Sequence, residues 1–231
     1  RLVAHPAVRR VNFTGSTRVG RDVAVTAARH LKPCVLELSG KPAMIVLDDA
    51  DVAHAAASAV FGAFFNQGQI CMATERIIVV AGIADRFVEA LVARTRALRA
   101  VDPKQGHADL GSLINGEAAA RVRDMIDDAV RKGGVLLCGG ETDGAVMQPA
   151  VVDRVSSAMR LYHEEAFGPV ASILRVRDEA EALSVANASD YGLTAAVFSA
   201  DAARAKDIAD RLETGIVQIN GPTVHDDPDM P

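Results

Sequence analysis

The chain has 231 residues, of which 49% are hydrophobic and 24% charged, and its formal net charge is −5. This apolar content excludes a disordered chain and suffices for one large domain or two small ones. Aromatic residues make up only 4%, tryptophan is absent and no basic patch stands out, so we expect no nucleic-acid partner. The longest apolar run, 52–65, is too short to span a bilayer, so we expect no membrane association.

The three cysteines, Cys34, Cys71 and Cys138, are widely spaced and form no Cys-x-x-Cys pair. This pattern argues against a disulfide framework and against a zinc site, so we predict no metal. A reducing compartment suits such thiols, and no signal peptide is visible, which together predict a cytoplasmic protein. Both ends, at Arg1 and Pro231, read as cuts within a larger protein.

A glycine-containing turn follows the first predicted strand, 11–13, and precedes a predicted helix over 18–31. Gly15 permits close approach to the backbone, and the Ser16 hydroxyl can donate a hydrogen bond. A strand, turn and helix in this order point backbone N–H groups and the positive end of the helix dipole at an anion. The pattern is neither a P-loop nor Gly-x-Gly-x-x-Gly, and a glycine before a capped helix is more often a simple turn.

Glu37 lies near the end of a second apolar strand, 33–38, and is followed closely by Lys41. A glutamate is rarely buried without a partner, and desolvation raises the pKa of a buried carboxyl toward the range of a general base. Two interpretations therefore remain open. Glu37 is a general base, or it pairs with Lys41 or caps the turn between them.

Cys71 lies between a predicted apolar helix over 52–67 and a predicted strand over 76–80. The helix is apolar nearly all round, which predicts that it lies inside the domain. Amides and a glycine separate the helix from the cysteine. Junctions of this kind hold reactive side chains, although most cysteines are buried and inert, so this stretch alone leaves both interpretations of Cys71 open.

Strands and helices alternate over the rest of the chain. Further helices are predicted near 84–99, 117–132, 178–188 and 201–213, and further strands at 43–47, 135–138, 170–176, 195–199 and 216–220. Such alternation predicts an α/β fold with a mostly parallel sheet.

Two acids, Glu164 and Glu165, begin a bend in which Gly168 permits an unusual backbone conformation. Cys138 has no acid or base near it in sequence and is interpreted as structural.

Four segments carry a resemblance to a known family. They are Phe13–Thr17, Leu36–Lys41, Asn66–Cys71 and Glu164–Val170. In this order and spacing they closely resemble the NAD(P)-dependent aldehyde dehydrogenase superfamily. The resemblance implies that residues 1–38 end a Rossmann-like coenzyme-binding domain and that residues 39–231 form the catalytic domain. It also implies NAD or NADP as the cofactor, and a homodimer or homotetramer for the full-length protein.

The resemblance assigns roles to single residues. Cys71 matches the catalytic nucleophile, and Glu37 matches the general base. Glu165 matches the acid that holds the nicotinamide ribose hydroxyls. The full set matched to cofactor binding is Gly15, Ser16, Val19, Gly20, Leu38, Glu165 and Phe167. The set matched to the substrate tunnel is Phe65, Ile70 and Met72.

These residue types suit the oxidation of an aldehyde. A thiolate attacks the aldehyde to give a thiohemiacetal, loss of hydride to the nicotinamide leaves a thioester, and water activated by a carboxylate releases the acid.

Ile70 and Met72, beside the nucleophile, are apolar, and the ending 219–226 resembles the branch that oxidises vanillin, salicylaldehyde and benzaldehyde. We therefore predict an aromatic aldehyde as the substrate. The family's oxyanion-stabilising asparagine and adenosine-ribose lysine lie upstream of this sequence, and Ser39 stands where the family often has glycine.

Three alternatives remain open. A CoA-acylating semialdehyde dehydrogenase resolves the thioester with CoA, but that branch generally lacks a glutamate at the position of Glu37. A cysteine hydrolase would pair Cys71 with His163 or His225. That reading leaves Glu165 without a role. The third alternative is an inactive fragment with the same fold.

Overall fold

The computed structural model describes residues 1–225, which form two compact units. The first unit is Arg1–Ser39 and the second begins at Gly40. Their assignment as coenzyme-binding and catalytic domains stays a prediction. The chain end from Asp226 onward, including the last residue of the 219–226 ending, lies outside the described residues. Within 1–225, no helix is both long enough and apolar enough to cross a membrane.

The first unit consists of a strand, a helix and a second strand. Its elements are β1 (Val11–Thr14), α1 (Thr17–Arg29) and β2 (Cys34–Glu37), and the two strands pair in parallel. The helix begins after Ser16, whose Oγ accepts a hydrogen bond from the Val19 N–H at 3.4 Å. A methyl group on Gly20 would overlap the Leu38 side chain. Glycine at this position therefore lets the helix pack closely against the residue that follows β2.

The second unit is built on a seven-stranded sheet. Its strands within 1–225 are β3 (Ala43–Val46), β4 (Arg76–Val80), β5 (Val135–Cys138), β8 (Ala150–Asp153), β9 (Val170–Val176), β10 (Thr194–Phe198) and β11 (Ile216–Ile219), while β6 (Thr142–Asp143) and β7 (Val146–Met147) form a separate hairpin. The order across the sheet is β11-β10-β3-β4-β9-β8-β5, and all neighbours are parallel except β5 and β8. The predicted α/β fold with a mostly parallel sheet is confirmed.

Helices cover both faces of this sheet. They are α2 (Val52–Phe64), α3 (Ala81–Arg96), α4 (Gly116–Arg131), the short α5 (Arg160–His163), α6 (Glu179–Asn187) and α7 (Ala202–Ala209). Successive residues of β3 alternate between two apolar clusters. Met44 packs with residues of α2 and α3, whereas Ile45 packs with residues of α4, α6 and α7. Because both faces are buried, the central strands are continuous apolar runs in the sequence.

Helix α2 is shorter and less buried than its sequence predicts. It ends at Phe64, because Phe65 has an extended backbone with φ −53° and ψ 135°, and a 3₁₀ segment, Phe65–Gly68, follows. Phe61 is 47% exposed. The apolar composition of α2 therefore overstates its burial, since only the face toward the sheet and α3 is covered.

Candidate functional site

Three loops meet at one edge of the seven-stranded sheet. They are residues 40–42 before β3, residues 65–75 between α2 and β4, and residues 164–169 before β9. Because β3, β4 and β9 are neighbouring parallel strands, the segments that precede them lie side by side. This edge carries the amino ends of the strands, whereas ligands of open α/β sheets commonly bind outside the carboxyl ends.

Gly40 connects the loops that contain Cys71 and Glu165. Its N–H donates to Glu165 Oε1 at 2.9 Å. A methyl group on Gly40 would overlap the carbonyl oxygen of Cys71, so only glycine permits this approach. The residues predicted from sequence as nucleophile and cofactor-binding acid therefore both lie against one glycine.

The backbone before Cys71 adopts a rarely occupied conformation. Asn66, Gln67 and Gly68 have φ values of 49°, 57° and 68°. A methyl group on Gly68 would overlap the carbonyl oxygen of Gly168, so this loop also contacts the loop before β9. Left-handed residues other than glycine are strained and often lie at functional sites. Our sequence analysis did not predict these left-handed residues, although an asparagine close before a glycine indicates such a backbone conformation.

The turn that carries Glu165 differs from its prediction. Phe167 has the left-handed backbone, with φ 48°, whereas the sequence predicted the unusual conformation at Gly168. A methyl group on Gly168 would lie 2.6 Å from Val122 Cγ2, so glycine is required there for space. Phe167 is 37% exposed, which leaves part of its ring accessible to a ligand.

A buried ion pair between Lys41 and Glu75 lies behind these loops. Lys41 Nζ and Glu75 Oε2 are 2.5 Å apart, and both residues are 3% exposed. Burial lowers the pKa of Lys41, although the Glu75 carboxylate acts in the opposite direction. The alternative in which Lys41 pairs with Glu37 is therefore wrong. Our sequence prediction missed Glu75, although a glutamate at the start of a buried strand is a signal for a buried partner.

Glu37 belongs to the first unit and is exposed. Strand β2 alternates between partly buried and exposed residues, so the expectation of a desolvated glutamate is wrong for this chain. The backbone carbonyl of Glu37 accepts a hydrogen bond from the Gly15 N–H at 3.0 Å. This bond connects the end of β2 to the turn before α1.

The start of α1 is suited to an anionic group. Gly15 and Ser16 are exposed, and the first turn of the helix contains no acidic side chain. The N–H groups of a first helical turn have no intrahelical partners, and the helix dipole adds positive charge there. A methyl group on Gly15 would lie 2.7 Å from the Phe13 ring, so glycine lets the turn pass this ring. The residues present therefore fit the pyrophosphate of a dinucleotide.

The three residues predicted to line a substrate tunnel flank the predicted nucleophile in sequence. Phe65 is 52% exposed and stacks on Phe61, with ring centroids 5.0 Å apart. Ile70 and Met72 are partly buried. The Met72 carbonyl accepts a hydrogen bond from Thr223 Oγ1 at 2.7 Å, which fixes the chain just after the thiol. An accessible aromatic pair thus lies at the start of residues 65–75, the loop that contains Cys71 and is called the thiol loop below.

The structure gives less support to a cysteine hydrolase that uses His163 and to a reactive Cys138. His163 Nε2 lies 2.7 Å from the Ser157 carbonyl oxygen, so one ring nitrogen of this candidate hydrolase base is already bonded to the backbone. Burial raises the pKa of the Cys138 thiol, which agrees with a structural role. In the described part of the chain, no group of three or more His, Cys, Asp or Glu side chains is arranged to hold a metal ion.

The whole chain matches a known family and its members. The family model described as "Aldehyde dehydrogenase family" matches residues 1–231. Vanillin dehydrogenase from Pseudomonas fluorescens is 56% identical over 231 residues, which are 100% of this chain and 48% of that protein.

Two solved structures have the same fold. The crystal structure of a salicylaldehyde dehydrogenase from Pseudomonas putida G7, complexed with salicylaldehyde, is 46% identical with a TM-score of 0.94, covering 98% of this chain and 47% of that one. The NADP-dependent glyceraldehyde-3-phosphate dehydrogenase from Bacillus halodurans C-125, complexed with NADP, is 40% identical with a TM-score of 0.93, covering 98% of this chain and 47% of that one.

The chain spans about half the length of the curated relatives it matches. The resemblance inferred from the four motifs, both to the superfamily and to its aromatic-aldehyde branch, is confirmed by these matches. The chain belongs to the aldehyde dehydrogenase family, a family of oxidoreductases.

Proposed function

We propose that this chain supplies the nucleophile, the general base and part of the dinucleotide site of an NAD(P)-dependent dehydrogenase that oxidises aromatic aldehydes to carboxylic acids. The observation that carries the proposal is the position of Gly40 against both Cys71 and Glu165. Aldehyde oxidation needs a nucleophile and a nicotinamide within reach of one carbon atom, and this contact supports both roles. Family membership supports the same conclusion.

In the proposed reaction, the Cys71 thiol loses its proton to solvent water, its Sγ then forms a bond to the aldehyde carbon, and the aldehyde oxygen becomes the oxyanion of a thiohemiacetal. The hydride of that carbon would pass to a bound NAD(P)+, whose nicotinamide half Glu165 and Phe167 would hold. A thioester on Cys71 remains. Glu37 takes a proton from water as the water oxygen attacks the thioester carbon, the C–S bond breaks, and the carboxylic acid leaves with Cys71 restored.

The residues proposed to bind the dinucleotide are those that match the family's motifs. In the first unit, the start of α1 would hold the pyrophosphate, and the proposed residues are Gly15, Ser16, Val19, Gly20 and Leu38. In the second unit, the Glu165 carboxylate would accept hydrogen bonds from the nicotinamide ribose hydroxyls, and Phe167 would lie against the nicotinamide. The cytoplasmic location and the homodimer or homotetramer of the full-length protein also stay predictions.

The proposed substrate class rests on apolar side chains near the thiol. Phe65 stacks on Phe61 and is half exposed, while Ile70 and Met72 flank Cys71. An aromatic ring binds favourably against such side chains through apolar burial and offset stacking. Two of the similar proteins act on or bind aromatic aldehydes by name, the vanillin dehydrogenase and the salicylaldehyde complex.

A substrate panel tests the proposed function in the complete gene product. We expect NAD(P)H formation with benzaldehyde, vanillin and salicylaldehyde at kcat/KM values about 10- to 200-fold above those for acetaldehyde or betaine aldehyde, the range that apolar pockets achieve. Preference for acetaldehyde or betaine aldehyde would contradict the aromatic substrate. A requirement for CoA would favour the CoA-acylating alternative, and the absence of NAD(P)H formation with every aldehyde would contradict the proposed function.

Two substitutions test the assigned roles. We expect Cys71→Ala to abolish NAD(P)H formation, because no thiohemiacetal can form. We expect Glu37→Gln to release one equivalent of NAD(P)H in a rapid burst and then to turn over about 10²- to 10⁴-fold more slowly, because the water is no longer activated. Stopped-flow absorbance measures both phases, and Cys138→Ala is the matched control with a wild-type burst and turnover. Turnover by Cys71→Ala would refute the role of the thiol.

A further inference from the structure

The Glu75 carboxylate holds the turn that carries Glu165 and Phe167. It is 3% exposed and lies just before β4, at the end of the thiol loop. The Ala166 N–H donates to Glu75 Oε1 and Oε2 at 2.9 and 2.8 Å, and the Phe167 N–H donates to Oε1 at 3.0 Å. Two consecutive peptide groups of the turn are therefore fixed by one buried charge, and charge-assisted bonds of this kind are the strong ones.

Lys41 extends this contact to the loop before β3. Its Nζ donates to Glu75 Oε2 at 2.5 Å, and the N–H of the preceding residue, Gly40, donates to the Glu165 carboxylate. The Lys41–Glu75 pair and the Gly40–Glu165 bond thus hold the same turn through its backbone and through its side chain. Removing either charge would leave the other buried without its ion-pair partner, which is strongly unfavourable.

Arg121 of α4 holds the opposite side of the turn. Its Nη1 donates to the Glu165 carbonyl oxygen at 3.1 Å, and its Nη2 donates to the Ala166 carbonyl oxygen at 2.6 Å. The turn is therefore bonded through its N–H groups on one side and its carbonyl groups on the other. A left-handed residue such as Phe167, with φ 48°, persists only where the surroundings determine its conformation.

We propose that Glu75, neutralised by Lys41, is a positioning residue that fixes Glu165 and Phe167 in the conformation that receives the nicotinamide half of NAD(P). This inference rests on the proposed function, in which those two residues contact the dinucleotide. Buried ion pairs add little net stability compared with apolar side chains of the same volume. The bonds from the Ala166 and Phe167 N–H groups give this pair a specific role in the shape of the turn.

The first test is Glu75→Gln in the complete gene product, which keeps the size of the side chain and removes its charge. We expect the KM for NAD(P)+ to rise about 10-fold or more, and turnover to fall by up to about 100-fold, since small misplacements at a site have effects of this size. We also expect amide hydrogen exchange in residues 165–168 to become about 10-fold faster without any dinucleotide, because a charge-assisted bond becomes neutral. Ester hydrolysis by Cys71 in the absence of dinucleotide should stay within about twofold, because the thiol is not altered.

A double variant separates positioning from stability. Glu75→Gln with Lys41→Met removes both charges, so we expect its unfolding midpoint to return toward that of the wild type while the KM for NAD(P)+ stays raised. If the restored stability also restored the KM, the pair would have only a structural role and the inference would be overturned. The double variant also covers the case in which Glu75→Gln alone fails to fold.

A matched control removes another buried carboxylate from the same sheet. Asp153, at the end of β8, is 4% exposed and accepts a bond from Arg175 Nη2 at 2.8 Å. We expect Asp153→Asn to lower stability and to leave the KM for NAD(P)+ within about twofold, since Asp153 makes none of the bonds that shape the turn. An equal rise in KM for Asp153→Asn would show a general effect and would overturn the inference.

The outcomes distinguish this inference from the function on which it rests. If the wild type is active, but Glu75→Gln keeps the wild-type KM for NAD(P)+ and the wild-type exchange in residues 165–168, only the positioning role of Glu75 is refuted. If the wild type neither binds nor reduces NAD+ or NADP+, the proposed function fails, and the purpose assigned to Glu75 fails with it.

Discussion

Gly68 meets two requirements that no side chain can meet. Its φ is 68°, in the left-handed region, and a methyl group there would overlap the Gly168 carbonyl oxygen and lie 2.9 Å from the Ala63 carbonyl oxygen. Backbone atoms cannot move aside as a flexible side chain can. The path of the chain into Cys71 therefore depends on this glycine.

We expect Gly68→Ala to lower the free energy of unfolding by about 1–3 kcal/mol and to reduce turnover, because both the conformation and the space are unsuitable for a methyl group. Urea denaturation and steady-state kinetics measure the two effects. Gly82→Ala is the matched control, since nothing lies within 4 Å of a methyl group at this helical position. Alanine there should be neutral or stabilising by about 0.5–1 kcal/mol. Wild-type turnover and stability in Gly68→Ala would contradict the requirement for glycine.

The chemical types at the candidate site could be predicted from the sequence, but their pairing could not. The motifs indicated Cys71 and Glu165, whose roles stay predictions. The sequence left open a pair between Lys41 and Glu37, four residues away, whereas the structure pairs Lys41 with Glu75. The reason is the sheet register, in which Ala43 lies opposite Arg76. The residues that precede these two strands are therefore close together in space, and no local sequence pattern indicates this contact.

At the scale of elements, α2 brings the chain to the thiol loop and is fixed at its start by a side-chain cap. Asp51 Oδ1 accepts hydrogen bonds from the Ala53 and His54 N–H groups at 2.9 and 3.1 Å. These bonds satisfy two of the N–H groups that a helix leaves unpaired in its first turn, and the negative charge suits the helix dipole.

We expect Asp51→Ala to lower the stability by about 1 kcal/mol, the usual effect of removing a cap. For a chain of this size, that change corresponds to a fall in Tm of about 2–4 °C in calorimetry or thermal circular dichroism. Asp51→Asn is the control, because asparagine caps a helix about as well, and it should unfold near the wild-type Tm. An unchanged Tm in Asp51→Ala would show that the cap does not stabilise the protein.

Elements defined by buried apolar runs were predicted well. Strands β4 and β9 begin and end where the sequence placed them, at 76–80 and 170–176. The end of α2 was wrong, because it is fixed by the left-handed backbone of Asn66 and Gln67 and by contact with the distant Gly168. The short helix α5 was also missed, since four residues are too few to show a helical period.

At the scale of the whole molecule, Arg204 connects several elements of the second unit. From α7 it donates to Asp48 Oδ1 at 2.8 Å, to Asp49 Oδ1 at 3.1 Å and to Glu179 Oε2 at 2.8 Å. Asp48 and Asp49 follow β3, and Glu179 begins α6. Ser199 Oγ also donates to Asp49 Oδ2 at 2.7 Å. Because the Asp201 N–H also donates to Asp49 Oδ2 at 3.1 Å, Asp49 receives bonds from both ends of the segment between β10 and α7.

The Asp49 carboxylate predicts how stability depends on pH. Partial burial raises the pKa of Asp49, but hydrogen bonds from Ser199 and Asp201 and the charge of Arg204 outweigh this, so its pKa lies below the ordinary value of 3.8. A lowered carboxyl pKa gives stability that is fully present above pH 3.8 and is lost as the pH falls through the folded-state pKa.

We therefore expect Asp49→Asn to be less stable than the wild type by about 1 kcal/mol at pH 6. The difference should shrink as the pH falls from 3.8 through the lower folded-state pKa, because the Asp49 carboxylate of the unfolded chain becomes protonated first. Urea unfolding between pH 2.5 and 6 measures both curves. A stability difference that stayed constant over this range would rule out the contribution of the Asp49 charge.

The class of the fold was predictable from the alternation of strands and helices, but the order of the strands was not. Strand β9 lies between β4 and β8, an arrangement set by contacts between residues far apart in the sequence. The position of the site at the amino edge of the sheet follows from that order. Sequence patterns describe local periodicity and therefore could not indicate it.

The sequence separation between Glu75 and the turn it holds has a consequence for biosynthesis. Ala166 follows Glu75 by 91 residues, so a ribosome that adds 5–20 residues per second makes the turn about 5–18 s after the carboxylate. Throughout that interval the nascent chain contains Cys71 and the buried acid, but lacks the peptide groups that the acid binds. The surroundings of the thiol are completed only after residues 164–169 have been made, and a polypeptide released before residue 164 would carry Cys71 without them.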